Sequence, residues 1–291
     1  ADTEGSLSLD PAGMFPPHAP NPEDKVAMAT LKKAVLDNKA DLGIIFDTDV
    51  DRAGAVDRKG EEINRNRLIA LISAHLLEDK AGTIVTDSVT SDGLTKFIEE
   101  HGGRHHRYMR GYRNVIDECK RLNDAGEYSP LAVETSGHCA FKDNYFLDDG
   151  AYLVTEILII LAGQLKKGKR LADLISGLEE PAEAAEIRPE ITCEDFREYG
   201  AKVLEKVKKA AAEIEGAKIA PNNYEGIRIN FDKTHGDGWL LIRMSLHEAI
   251  LPINVESNST GGCKKMVKAL LEILCSCEYV DLSLLEKFIK E

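Results

Sequence analysis

The chain has 291 residues, 43% of them hydrophobic and 30% charged, which is enough material for two domains, or three small ones, with buried cores. Its formal net charge of −13 repels nucleic acid phosphates and anionic membrane surfaces, so neither is expected as a partner, and an anionic ligand must meet a local basic cluster. The longest apolar run, residues 157–162, is far below the ~20 residues that span a bilayer.

Six cysteines occur without a C-x-x-C pair, and a chain of this length needs no disulfide staples, so a reducing cytoplasm is expected. No basic segment followed by an apolar one opens the chain, hence no secretory signal is expected. Its first residue is Ala rather than Met, so a processed chain or a fragment is expected.

Residues 1–22 carry Pro11, Pro16, Pro17, Pro20 and Pro22 and read as an extended lead-in. Val26, Ala29, Leu31, Ala34 and Val35 predict a helix over 23–36, and the apolar run 42–46 a buried strand. Alternation continues with helix 64–78, strand 83–86, helix 92–100, strand 105–109, helix 113–122, strand 131–134 and helix 150–165. That order predicts an α/β fold, a mixed and mostly parallel sheet with helices on both faces. Residues 181–189, rich in Ala, Glu and Pro, read as a linker. Beyond it, helix 194–215, strands 227–231, 239–244 and 251–255 around a Gly236-Asp-Gly238 turn, and helix 262–275 predict a C-terminal α+β domain.

Three motifs carry chemistry. Phe46-Asp47-Thr-Asp49-Val-Asp51-Arg52 follows the first strand, and alternate residues of an extended segment share a face, so Asp47, Asp49 and Asp51 converge. Three like charges require a cation, and oxygen donors favour a hard divalent ion such as Mg²⁺. An EF-hand is excluded because Arg52 and Arg58 stand where its Gly and Glu are needed; a solvated acidic turn is the plainer alternative. Glu134-Thr-Ser136-Gly137-His138 also follows an apolar run, where a carboxylate and a hydroxyl suit vicinal sugar hydroxyls, although the same residues occur in ordinary turns. Arg243-Met-Ser245-Leu-His247-Glu248 offers a guanidinium fork and a hydroxyl for phosphate, with an exposed hairpin loop as the alternative. His105 and His106 point to opposite faces of a strand and do not share a metal, and Trp239 is expected in a core.

The order D-x-D-x-D-R, then E-x-S-G-H, then R-x-S resembles the α-D-phosphohexomutases, the phosphoglucomutase and phosphomannomutase superfamily. The likeness runs from about Asp10 to Cys275 and includes Phe15-Pro-x-x-x-Pro20-Asn-Pro22, Phe141-Lys-Asp143 and Asp148-Asp-Gly150. It implies a chain beginning near the end of the second of four domains, with divisions at 1–61, 62–180 and 181–291, and it implies that the catalytic phosphoserine, carried in a T-A-S-H-N-P-like loop, is absent. By the same resemblance Asp47, Asp49 and Asp51 hold Mg²⁺, and Arg52 lies beside the transferring phosphoryl group. Glu134 and Ser136 bind sugar hydroxyls, His138 orients the sugar or moves a proton, and Arg243 and Ser245 hold the other phosphate of a hexose phosphate. Thr48 and Val50 replace the usual glycines of the metal loop. In the phosphate loop Leu246, His247 and Ala249 replace usual residues, with His247 the candidate substitute donor. Met109-Arg110-Gly111-Tyr112 stands where relatives carry K-x-G-H.

Two other functions fit parts of the pattern. A haloacid-dehalogenase-like phosphatase uses Asp47 as nucleophile and Asp49 as acid/base, although Asp51 stands where that family has Thr or Val. A non-catalytic sugar-phosphate-binding module is the second. A truncated second domain is also expected to leave apolar surface for self-association or for the missing N-terminal part.

Overall fold

Asp24 starts the first helix: its carboxylate accepts a hydrogen bond from the Ala27 N–H at 2.8 Å, and α1 (Lys25–Asn38) follows. The structure, a computed structural model, describes residues 5–10, 12–14, 18–245 and 248–291 and divides into two units, Ala1–Glu179 and Glu180–Glu291. Pro11, Phe15, Pro16 and Pro17 of the lead-in lie outside the described residues.

In the first unit, β1 (Leu42–Phe46), β2 (Ala53–Asp57) and β3 (Glu62–Ile63) form an antiparallel sheet in that order. The sequence predicted β1 but neither β2 nor β3. Ala53-Gly-Ala-Val-Asp57 has one β-branched residue and no alternation, so its strand is made by pairing rather than propensity. All five of its residues are buried.

A second sheet is built from β4 (Thr83–Thr86), β5 (Arg104–Arg107), β6 (Leu131–Val133) and β7 (Cys139–Phe141) in the order β5-β4-β6-β7. β4 pairs parallel with β5 and β6, and β7 closes antiparallel on β6. Four helices connect it: α2 (Asn66–Asp79), α3 (Asp92–Glu100), α4 (Tyr112–Asp124) and α5 (Gly150–Lys166). Strand alternation explains the layers. Ile84, Leu131 and Val133 pack with Ile69, Leu94 and Leu153 from α2, α3 and α5, while Val85 and Ala132 pack with Val115, Cys119 and Leu122 of α4. Helices therefore cover both faces, as the βα alternation predicts. His105 bonds Thr86 and Thr95, whereas His106 bonds Glu118, which separates the two imidazoles.

The second unit carries an antiparallel sheet, β8-β12-β11-β10-β9, made of β8 (Glu183–Ile187), β9 (Ala217–Ile219), β10 (Ile227–Phe231), β11 (Gly238–Ile242) and β12 (Ile253–Ser257). Helices α6 (Phe196–Ala211) and α7 (Gly262–Leu274) pack on Ile229, Leu240, Ile242 and Val255, and α8 (Ser283–Lys290) closes the chain. The expected linker over 181–189 is corrected by β8, whose Glu-Ala-Ala-Glu-Ile sequence pairs with β12. It is an edge strand, so half its alternation is polar or small and its hydrophobic signal is weak. Trp239 is buried, 2% exposed, but it alternates with the core residues Leu240 and Ile242 and lies on the other face of β11. There the Arg228 guanidinium stacks 3.6 Å from its ring, and its Nε1–H donates to Glu256 at 2.9 Å. All six cysteines are free. Among the described residues no helix is long and apolar enough to cross a membrane.

Candidate active site

The loop from β1 to β2 bends at Val50, whose φ of +64° is one a β-branched residue rarely adopts. The bend gathers Asp47, Asp49 and Asp51, with one carboxylate oxygen from each lying within 4.8 Å of the others. Arg52 braces the loop from the side. Its Nε donates to Asp47 Oδ2 at 2.7 Å and its backbone N–H to Asp47 Oδ1 at 3.2 Å, while its Nη1 reaches Asn21 Oδ1 at 3.4 Å.

The electrostatics of this cluster favour a cation. Burial works against ionised Asp47, yet hydrogen bonds from the Arg52 side chain and backbone outweigh it and hold the carboxyl below its usual range. Asp51 is pushed up to about 6, chiefly by burial; the His138 charge opposes the rise, and the Asp47 hydrogen bond and charge add to it. Asp51 Oδ1 is buried without a hydrogen-bond partner. An oxygen-only donor set containing an orphaned buried carboxylate oxygen fits a hard divalent ion. The phosphatase alternative fares worse, because both Asp47 oxygens accept from Arg52 and β1 belongs to an antiparallel sheet.

The second motif lies beside the first. Arg52 and His138 form an antiparallel backbone bridge that fastens the metal loop to the turn between β6 and β7. Within that turn the Gly137 N–H donates to the Glu134 carbonyl at 3.1 Å and the Glu134 N–H to the His138 carbonyl at 2.9 Å. Gly137 has φ +100°, and a Cβ there would stand 2.9 Å from the Ala53 carbonyl, so only glycine allows this approach. His138 Nδ1 lies 2.7 Å from Asp148 Oδ2 and 3.6 Å from Asp51, and its ring stacks on Tyr112 with centroids 5.0 Å apart. Burial would lower its pKa, but the Asp148 hydrogen bond and the charges of Asp148, Asp51 and Glu134 raise it.

Glu134 is 3% exposed, and its Oε1 accepts the Gly111 N–H at 2.6 Å. Its pKa is pushed up to about 7 by burial and then by the Asp87 charge, against the Gly111 hydrogen bond and the charges of His138 and Arg110. The Ser136 Oγ is buried and unpartnered. Glu134 and Ser136 thus stand just past the carboxyl end of β6, which runs parallel to β4, where ligands bind in such sheets.

Helix α5 supports this arrangement from outside. Its first amide, Gly150 N–H, donates to the Val50 carbonyl at 2.9 Å. A Cβ at Gly150 would sit 2.7 Å from that oxygen and 3.0 Å from the Arg52 carbonyl carbon and oxygen. Gly→Ala inside a helix ordinarily gains ~1 kcal/mol. Here overpacking costs roughly 1–3 kcal/mol, so Gly150→Ala is expected to destabilise the chain and weaken its cation binding, as read by urea unfolding and titration calorimetry. A more stable variant with unchanged affinity would contradict the brace.

In the second unit, Arg243 Nη1 lies 3.6 Å from Glu225 Oε1. Ser245 Oγ accepts the Glu248 N–H at 3.2 Å. His247 and Leu246 lie outside the described residues. The sequence motifs did not single out Asp87 or the Gly111 amide, and they quoted Asp148 without a role. Asp148 was signalled only by the D-D-G run before a helix, and Asp87 by its place directly after a parallel strand.

Comparison with known proteins places the aspartate and glutamate motifs within matched domains of one family. The phosphoglucomutase/phosphomannomutase alpha/beta/alpha domain II matches residues 4–60 and domain III of the same family residues 64–181. A phosphomannomutase/phosphoglucomutase of Pseudomonas syringae is 30% identical over 263 residues, 90% of this chain and 52% of that protein. A probable phosphoglucosamine mutase of Methanosarcina barkeri is 31% identical, covering 87% of this chain and 52% of its own length. The chain spans about half the length of the curated relatives it matches. Among solved structures, a phosphoglucomutase/phosphomannomutase family protein of Burkholderia thailandensis superposes with a TM-score of 0.76 at 25% identity, over 92% of this chain and 54% of that one. The Aspergillus fumigatus N-acetylphosphoglucosamine mutase, solved with GlcNAc-6P and magnesium, shares the fold at a TM-score of 0.54 and 12% identity, over 80% of this chain and 48% of its own. With two successive domains of one family matched in order, and with the aspartate loop bridged to the glutamate turn, the chain belongs to the α-D-phosphohexomutase superfamily of phosphoglucomutases and phosphomannomutases.

Proposed function

We propose that this chain is the part of a phosphohexomutase that carries the metal and sugar subsites for interconverting hexose 1- and 6-phosphates. The observation that carries the proposal is the Arg52–His138 bridge, which sets three carboxylates beside the buried Glu134–Ser136 turn. Asp47, Asp49 and Asp51 hold the divalent ion, Mg²⁺ by the hardness of the donors. When bound, that ion offsets negative charge on a transferring phosphoryl group.

The chain's own residues supply the rest. Arg52 keeps Asp47 ionised and is assigned to the transferring phosphoryl group. Glu134 and Ser136 grip vicinal hydroxyls of the hexose, a binding mode indifferent to which phosphorylated end faces the metal. His138, oriented by Asp148, moves or shares a proton with the sugar. Arg243 and Ser245 of the second unit hold a phosphate, with His247 as a third donor.

The chain contains no T-A-S-H-N-P-like stretch, so the serine that exchanges the phosphoryl group comes from outside these 291 residues. The purified chain with Mg²⁺, a hexose bisphosphate and either glucose 1-phosphate or mannose 1-phosphate is therefore expected to show no turnover in a coupled assay, while calorimetry shows hexose 6-phosphate binding. Turnover by the chain alone would overturn the proposal and make Asp47 the residue to test as nucleophile.

A further inference from the structure

A buried acidic group that none of the motifs includes sits beneath the sugar turn. Asp87 directly follows β4 and is 0% exposed. Its Oδ2 accepts both hydrogen bonds that Thr135 can offer, from the backbone N–H at 3.2 Å and from Oγ1 at 2.7 Å. Its Oδ1 is buried and unpartnered, as is the Oγ of neighbouring Ser136. A buried carboxylate oxygen left without a partner is costly unless something nearby shares a proton with it. Thr135 lies between the two residues proposed to grip the hexose, so whatever fixes Thr135 fixes both.

The geometry points to Asp87 as a positioning residue for the sugar turn: it clamps Thr135 through one oxygen, and its carboxylate is a buried charge close enough to act on Glu134. The assignment rests on the sugar-site function proposed above. Four observations act together. Asp87, Gly111 and Glu134 come from the ends of three adjacent strand connections, β4, β5 and β6. Glu134 is held from one side by the Gly111 amide. Of the charges that act most strongly on Glu134 among the described residues, Asp87 disfavours its ionised form while His138 and Arg110 favour it. Finally, both of the buried oxygens without partners here, Asp87 Oδ1 and Ser136 Oγ, border the same turn. Burial is the first cause of the raised Glu134 pKa and the Asp87 charge the second, so Asp87 adds to the pH at which Glu134 becomes a full acceptor for a sugar hydroxyl.

The test compares the wild-type chain with Asp87→Asn, which keeps an acceptor for Thr135 and removes the charge, and with Thr135→Val, which weakens the clamp and keeps the charge. The ¹³C resonance of the Glu134 carboxyl is titrated in each, without ligand, and glucose 6-phosphate affinity is measured across pH 5 to 9. In Asp87→Asn the Glu134 midpoint is expected to fall by about one pH unit, and the pH dependence of binding to move with it. In Thr135→Val the midpoint stays and affinity drops several-fold at every pH. A Glu134 midpoint unchanged by Asp87→Asn overturns the inference, and so does a midpoint that moves without the binding profile following. Absence of binding by all three proteins at every pH overturns the sugar-site function instead, since the ligand-free titration still reports the coupling. If Asp87→Asn fails to fold, an affinity in Thr135→Val equal to wild type overturns the clamp.

Discussion

Asp51→Asn is expected to lower divalent-ion affinity by about 100-fold and, in the same protein, to raise the stability of the metal-free chain. The first effect follows from taking one full charge and one donor from a three-carboxylate site. The second follows from the sign of the proton linkage. A carboxyl pushed up to about 6 holds its proton more tightly folded than unfolded, so stability falls as pH rises from the ordinary carboxylate range through about 6. Asp51 is partly open to solvent, which screens the repulsion, and the gain at pH 8 is roughly 1–2 kcal/mol. Mn²⁺ titration calorimetry and urea unfolding in chelator at pH 5 and pH 8 measure the two. A variant that binds Mn²⁺ as tightly as wild type would remove Asp51 from the metal site.

Glu134→Gln has the second large effect and the same double character. The carboxyl is almost wholly buried and pushed up to about 7, so the wild-type chain loses stability as pH rises from about 4.5 through about 7, by on the order of 2–3 kcal/mol. Glutamine still accepts the Gly111 N–H and carries no charge. Unfolding in chelator is therefore expected to show a more stable variant at pH 8 and a flatter pH dependence. Hexose 6-phosphate affinity is expected to fall ten- to a hundred-fold, because a hydroxyl matched to a carboxylate acceptor meets a mixed donor and acceptor. A variant that gains stability and keeps its affinity would move the sugar site away from this turn.

The two effects share a cause. On the proposed function, a site whose carboxylates await a cation and sugar hydroxyl donors holds uncompensated buried charge without them, so the residues assigned to binding are those whose removal relaxes the empty protein. Gly150→Ala differs because it acts on packing and should lose both stability and affinity.

What the sequence revealed depended on how local the determinants were. β4 and α3 were legible to the residue, because four consecutive β-formers make the strand and Ser91 caps the helix through the Leu94 N–H at 3.0 Å. β2 and β8 were not, because Ala-Gly-Ala-Val and Glu-Ala-Ala-Glu owe their conformation to partners 11 and 70 positions away along the chain. In the site, Asp47, Asp49 and Asp51 were legible from their spacing alone. Asp87 was not: the run Thr86-Asp-Ser-Val-Thr90 is ordinary polar sequence, and only folding puts its carboxylate under Thr135, 48 residues on.

The bridges from Arg52 to His138 and from Val50 to Gly150 make the aspartate loop a dependent part of the first unit rather than a module. Residues 1–61 contain all three carboxylates of the aspartate loop, yet the strained backbone at Val50 and the place of Arg52 are tied to residues more than eighty positions downstream. A peptide cut after the loop would keep the motif and lose the geometry. Closing so long a segment carries an entropic cost, so cation affinity is expected to appear in refolding with completion of the whole first unit and not of its opening hairpin.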